Sequence, residues 1–135
     1  MNWRDLPSSQ FGDNPALADE LAALVLADVK RATCWAASEG TKESEVGKPW
    51  VMLSGSGEPL AILETTELTE RRFNEVEPAF AYDEGEGDRS LAFWRQAHRN
   101  YFTRRGEFAE DMLLYCERFR LVEHIAESDE SRPVT

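Results

Sequence analysis

Residues 50–66, Trp50-Val51-Met52-Leu53-Ser54-Gly55-Ser56-Gly57-Glu58-Pro59-Leu60-Ala61-Ile62-Leu63-Glu64-Thr65-Thr66, hold two apolar runs around a polar centre. Ser54 to Pro59 carries two glycines and a proline, the strongest punctuation a chain can give for a turn. Leu60 to Thr66 is rich in strand formers. The stretch therefore predicts a β-hairpin, with Gly55-Ser56-Gly57 as its turn and not as a phosphate cradle. A hairpin at the centre of the chain commits the fold to an antiparallel sheet, and the flanks decide what packs on it.

Towards the N-terminus, Asn14-Pro15 opens a helix: asparagine is a good N-cap, and proline at the first helical position loses only an orphan donor. Leu17, Leu21, Leu24 and Val25 fall on one face at helical spacing, and the helix should end near Ala27 or Asp28. Ala32 to Ala36 reads as a short strand and Ser38 to Lys48 as a polar loop. Towards the C-terminus, Phe73 to Tyr82 suits a short helix, and Glu84-Gly85-Glu86-Gly87 reads as a loop because two glycines in four residues oppose regular structure. Asp88 or Ser90 caps a second long helix to about Arg104, with Leu91, Trp94, Ala97, His98 and Tyr101 on its inner arc and Gly106 as its stop. Leu113 to Ile125 alternates as a long strand. The order predicts an α+β fold, a small mostly antiparallel sheet or barrel with helices against it. Residues 1–10 read as a flexible arm, residues 11–126 as one domain and residues 127–135 as a disordered polar tail.

The chain has 135 residues, enough for one core. Fifteen Lys and Arg face 26 Asp and Glu, a formal charge of −11, so bulk charge does not hold it to nucleic acid. No run is long and apolar enough to cross a membrane, and no apolar leader opens the chain, so the cytoplasm is the expected compartment. Cys34 and Cys116 are then expected to be reduced thiols. His98, His124 and the two cysteines lack zinc-ligand spacing, so neither a metal nor another cofactor is expected. Trp3, Leu6 and Phe11 suit either a homodimer contact or a cover for the core.

Three features carry possible chemistry. From Arg89 to Gly106 there is no acid and there are five arginines; Arg95 and Arg99 lie away from the apolar arc, as a solvated face or a phosphate-contact strip. Lys30 and Thr33 follow a helix end where a strand starts; if that strand is extended, Thr33 faces away from Cys34. A partly buried lysine has its pKa lowered and can act as nucleophile or base, although Lys30 alone reads as a helix C-terminal residue. Glu84, in a glycine-flanked loop, suits a general acid or base, although alone it is one surface acid among many.

The string Phe11-Gly12-Asp13-Asn14-Pro15 through Asp28-Val29-Lys30-Arg31-Ala32-Thr33 resembles the opening of the ASCH domain family. Glu84-Gly85-Glu86-Gly87-Asp88-Arg89-Ser90-Leu91 with Trp94, and Cys116-Glu117-Arg118-Phe119, resemble its later motifs in the expected order. The resemblance implies a PUA-like β-barrel flanked by helices, with a cleft beside the first helix. Some members resemble N4-acetylcytidine amidohydrolases, in which a Lys, a Thr and a distal Glu carry catalysis. By motif position these are Lys30, Thr33 and Glu84. The ligand-binding candidates are Arg31, Trp35, Tyr82, Arg95 and Arg99, with Trp35 or Tyr82 stacking on a base. The implied partners are a nucleoside, a nucleotide or short single-stranded RNA. The other branches are a single-strand ribonuclease and a non-catalytic RNA-binding or sensing module. This chain departs from the family's Gly-Lys-Lys-Thr or Gly-Arg-Lys-Thr pattern: Asp28 stands for the glycine, Val29 for the first basic residue and Arg31 for a threonine.

Overall fold

A computed structural model describes residues 2–125; the tail expected at 127–135 lies outside the described residues. Five strands form one mixed sheet: β1 (Ser8–Ser9), β2 (Ala32–Ala36), β3 (Pro49–Leu53), β4 (Pro59–Arg72) and β5 (Leu113–His124). Three helices pack on it: α1 (Pro15–Leu26), α2 (Pro78–Glu84) and α3 (Leu91–Arg104). The α+β expectation holds. The order β1-β3-β4-β5-β2 leaves β1 and β2 as unpaired edges, so the sheet is open where a closed barrel was expected.

The central hairpin forms as its sequence dictates. Trp50 pairs with Leu63 and Val51 with Ile62, and Gly57 takes a positive φ of 89°. Gly55 lies so close to α1 that a Cβ there would stand 2.2 Å from the Pro15 carbonyl oxygen, so the turn is glycine by packing as well. Alternation along the pair then sorts the apolar residues. Met52, Ala61 and Leu63 face α1, joining Leu21, Val25 and Phe119 in one cluster. Val51 and Ile62 face the other way, where Trp3 and Leu6 pack against them. Those two residues and the buried Phe11 cover the core.

β4 runs six residues further than its apolar stretch. Glu67 to Arg72 is charged and poor in strand formers, yet it pairs with the first half of β5, Glu67 opposite Arg118 and Arg72 opposite Leu113. The cross-strand Glu67–Arg118 ion pair compensates for the weak propensity. The far end of this long pair, with β2, supports a second core of Phe73, Phe80, Trp94, Phe102 and Leu114 under α2 and α3. The arm expected at residues 1–10 is instead built partly into the fold: Trp3–Asp5 forms a 3-10 turn, and Ser8 and Ser9 run parallel to Val51 and Met52. Glu84, placed in a loop by the sequence, is the last residue of α2, which Gly85 ends in the left-handed conformation.

Candidate functional site

Two chain reversals build the floor of the site. Asn14 caps α1 by accepting from the Leu17 amide at 2.8 Å. At the other end Asp28 adopts φ 62°, and the amides of Val29 and Lys30 both donate to the Leu24 carbonyl. This is the left-handed closure that glycine favours and that aspartate tolerates better than most residues. It explains how Asp28 can stand where the family pattern has glycine. The chain is thereby turned inward, and Lys30 heads into the protein. On the opposite side Gly85 ends α2 at φ 75°, and a Cβ there would lie 2.5 Å from the Val29 carbonyl oxygen. Arg89 ties the two reversals together, donating to the Val29 and Tyr82 carbonyls at 3.0 and 2.9 Å.

Lys30 is 2% exposed. Its Nζ donates to Glu84 Oε1 at 2.9 Å, Glu86 Oε2 at 3.0 Å, the Ala32 carbonyl at 2.8 Å and the Glu84 carbonyl at 3.2 Å. Glu84, also 2% exposed, receives Trp94 Nε1–H on Oε2 at 2.8 Å, and His98 Nε2 stands 3.4 Å from the same oxygen. The His98 ring stacks on Trp94 at 4.2 Å, and its Nδ1 lies 2.9 Å from the Trp94 carbonyl. A carbonyl only accepts, so Nδ1 carries a hydrogen. A neutral ring would then aim its Nε2 lone pair at a carboxylate, and the geometry favours the imidazolium.

The charges follow. Burial acts to lower the Lys30 pKa, but the Glu84 and Glu86 carboxylates outweigh it and hold it above its ordinary value. This corrects the sequence expectation of a lowered pKa: burial was anticipated, the two carboxylates were not. Burial likewise acts to raise the Glu84 pKa, but Lys30, then His98 and Trp94, hold it well below the usual carboxylate range. For His98 burial again opposes the charge, and Glu84 prevails to raise the pKa. Burial and then Glu84 push the Cys34 thiol well up. Cys116, directly across the β2–β5 pair from Cys34, is pushed up to about 12 by burial and then Glu84. Both cysteines are free thiols.

Above this floor opens a cavity of about 690 Å³. Lys30, Thr33, Trp35 and Glu84 line it. Thr33 makes no hydrogen bond to Lys30 or Glu84 among the described residues; it sits opposite Glu117 in the β2–β5 register. Trp35 forms part of the wall, its Nε1 donating to the Gly40 carbonyl at 2.7 Å. The other four ligand-binding candidates lie outside the lining. Arg31 is exposed and paired with Asp28. Tyr82 is exposed with the Arg89 guanidinium 3.6 Å over its ring. Arg99 is paired with Glu110 at 2.8 Å and lies over the Phe108 ring. Arg95 sits on the same face of α3, away from the cavity.

Sequence reasoning missed the wall given by Ser8, Ser9 and Phe11, together with Glu86, Glu117 and the role of His98. The spacing of Trp94 and His98, one helical turn apart on the inner arc, was the available signal for the last. Cys34, Glu84 and His98 each offer a ligand atom within 4.8 Å of the others, a grouping the linear spacing hides. The Glu84 carboxylate there is already paired with the Lys30 ammonium and accepts the Trp94 indole N–H, and burial and Glu84 push the thiol pKa well up, so the trio reads as groups gathered around Glu84.

A family profile described as ASCH domain matches residues 7–123, nearly all of the described chain. The chain belongs to the ASCH domain family. The family is associated with RNA binding. An ASCH domain from Lactobacillus crispatus JV V101 is 39% identical over 87% of this chain and 80% of its own, with a TM-score of 0.80. A protein from Enterococcus faecalis V583 is 28% identical over 96% and 85%, with a TM-score of 0.77. Among curated proteins nothing matches. No helix among the described residues is long and apolar enough to cross a membrane.

Proposed function

We propose that this ASCH domain binds a modified nucleoside in the cavity and hydrolyses an N4-acyl group from its cytosine, with Lys30, Glu84 and Thr33 as the catalytic residues. The observation that carries the reading is the ion pair between Lys30 and Glu84, 54 residues apart in sequence and both buried at the cavity floor. Burying two charges costs several kcal/mol that packing alone would not require. Such a pair facing a cavity is a functional-site candidate.

The pKa directions support a division of roles. Lys30 remains an ammonium, which cannot attack a carbonyl but can stabilise the oxyanion that develops on one. Of its acceptors, Glu86 Oε2 belongs to the one side chain with substantial exposure, 29%, so a substrate oxygen would enter by replacing it. Glu84 is ionised and serves as the base. As the ammonium turns towards the substrate oxygen, its hold on Glu84 slackens and the carboxylate becomes more basic. Glu84 takes a proton from water as the water oxygen bonds to the acyl carbon. It returns that proton to N4 as the C–N bond breaks, leaving a carboxylic acid and cytidine. Thr33 orients the acyl oxygen, and Trp35 offers a face to the base.

The test is turnover of N4-acetylcytidine by the purified protein, followed as the release of cytidine. The wild type should convert it, and Lys30→Met and Glu84→Gln should each reduce kcat by two orders of magnitude or more, on the order expected for an oxyanion-stabilising group. Equal inertness of wild type and Lys30→Met towards a panel of acylated nucleosides refutes the reading. Shortening of single-stranded RNA by the wild type, with the acetyl group untouched, would assign the site to a nuclease.

A further inference from the structure

A second buried carboxylate lines the same cavity and takes no part in the chemistry above. Glu117, on β5, is 5% exposed and forms no ion pair with any described residue. Its Oε2 accepts two hydroxyl hydrogen bonds, from Thr65 at 2.5 Å and Ser44 at 2.7 Å. Thr65 in turn accepts from Trp50 Nε1 at 3.3 Å, so the carboxylate is fixed in direction by two strands and the 38–48 loop. Its other oxygen, Oε1, receives no hydrogen bond from the described residues. That second oxygen is not sealed in the protein; it is accessible at the cavity wall, where a donor that arrives from outside can reach it. Thr33 stands directly opposite in the register, where antiparallel side chains on one face lie about 5 Å apart at Cβ. Glu117 is therefore the cross-strand neighbour of a residue of the proposed catalytic set, and both line the cavity.

We infer that Glu117 is the residue with which the cavity reads its ligand, by accepting a hydrogen bond from a hydroxyl of the nucleoside sugar. The inference rests on the amidohydrolase reading. The side chain acts as an acceptor, taking hydrogen bonds from two hydroxyls, so O2 and N3 of cytosine, which only accept, are not its partners. The one donor on an N4-acylated base is N4–H, which belongs to the reacting bond beside Glu84. The remaining donors of the nucleoside are its sugar hydroxyls. Glu117 also disfavours any phosphate placed against it by charge repulsion. It accordingly selects a free hydroxyl over a phosphorylated one at that position.

The experiment compares kcat/KM for N4-acetylcytidine, its 2′-deoxy and 3′-deoxy analogues and the free base N4-acetylcytosine. In the wild type, removing the hydroxyl that Glu117 reads should cost about 10- to 100-fold, the range for a hydrogen bond to a charged group, and the free base should be at least as poor. In Glu117→Gln the same discrimination should shrink to about fivefold or less, because a neutral acceptor replaces the charge. Glu117→Asp, which withdraws the carboxylate by one methylene, should shrink it likewise and serves if the amide variant does not fold. Wild-type enzyme that turns over all four compounds alike overturns the inference, whatever the variants do. So does full discrimination retained in a folded Glu117 variant. In both cases the amidohydrolase reading survives, whereas inertness of the wild type towards every acylated nucleoside overturns both.

Discussion

Removing Lys30 alone should harm the protein more than removing Lys30 and Glu84 together. Lys30→Met preserves length and apolar bulk but leaves the Glu84 carboxylate at 2% exposure without its main counter-charge. Breaking one side of a buried pair costs about 3–5 kcal/mol, most of it from the stranded charge. In Lys30→Met/Glu84→Gln no fully buried carboxylate is stranded: Glu86 keeps partial exposure, His98 can give up its proton, and the amide oxygen can still accept from Trp94 Nε1. The double variant should recover about 2 kcal/mol or more of that loss. Urea unfolding of the four proteins at neutral pH, closed as a double-mutant cycle, measures the coupling. The acid limb gives a second reading. The folded pKa of Glu84 is depressed, so its stabilisation is complete above the ordinary value of 4.5 and is lost as pH falls from there towards the depressed value. Wild type should therefore weaken on acidification through that window more than Glu84→Gln does. Losses that simply add, with a coupling below about 0.5 kcal/mol, would refute the claim that the two groups stabilise one another.

Three further outcomes follow from the same geometry. The raised His98 pKa means its stabilisation is complete below the ordinary 6.5 and is lost as pH climbs past the raised value, so the denaturation midpoint of wild type should fall on that alkaline side while His98→Gln stays flat. Gly85→Ala strains a left-handed position and drives a Cβ into the Val29 carbonyl, so it should destabilise by about 2 kcal/mol or more and also raise KM, because Val29 carries Lys30; a loss of stability with unchanged kinetics would separate the reversal from the site. Asp28→Gly should lie within about 1 kcal/mol of wild type while Asp28→Val, at φ 62°, should cost more than that, as calorimetric melting would show.

The elements that could be read in advance were those with local chemistry of their own. Asn14-Pro15 announced α1, the Ser54–Pro59 turn announced the β3–β4 pair, and Ser90 with the Trp94/His98/Tyr101 arc announced α3. The continuation of β4 through Glu67–Arg72 was not legible, because its strand character comes from β5 across the sheet and not from its own residues. Lys30 and Glu84 were picked out by resemblance; periodicity alone ranks them as a helix-end lysine and a surface acid. What no local pattern reveals is charge state. Lys30 was expected to lose affinity for its proton through burial, and the structure reverses the sign by bringing two carboxylates from one short glycine-bearing segment against it. Glu117 stood in a quoted motif but was given no role for the same reason: its partners, Ser44 and Thr65, come from distant stretches of chain.

The two residues of β1 matter beyond their size. They satisfy the outer side of β3, where the Val51 amide also donates to the Pro7 carbonyl at 2.8 Å. A chain begun at Phe11 would keep α1, α2, α3 and the four longer strands, yet it would strip the Val51 amide of its Pro7 partner and remove one bank of the cavity. Exposed strand margins recruit other strands, so such a shortened protein would be expected to self-associate and to lose ligand together. The outer margin of the sheet is therefore covered by residues a few positions upstream of the first recognisable helix.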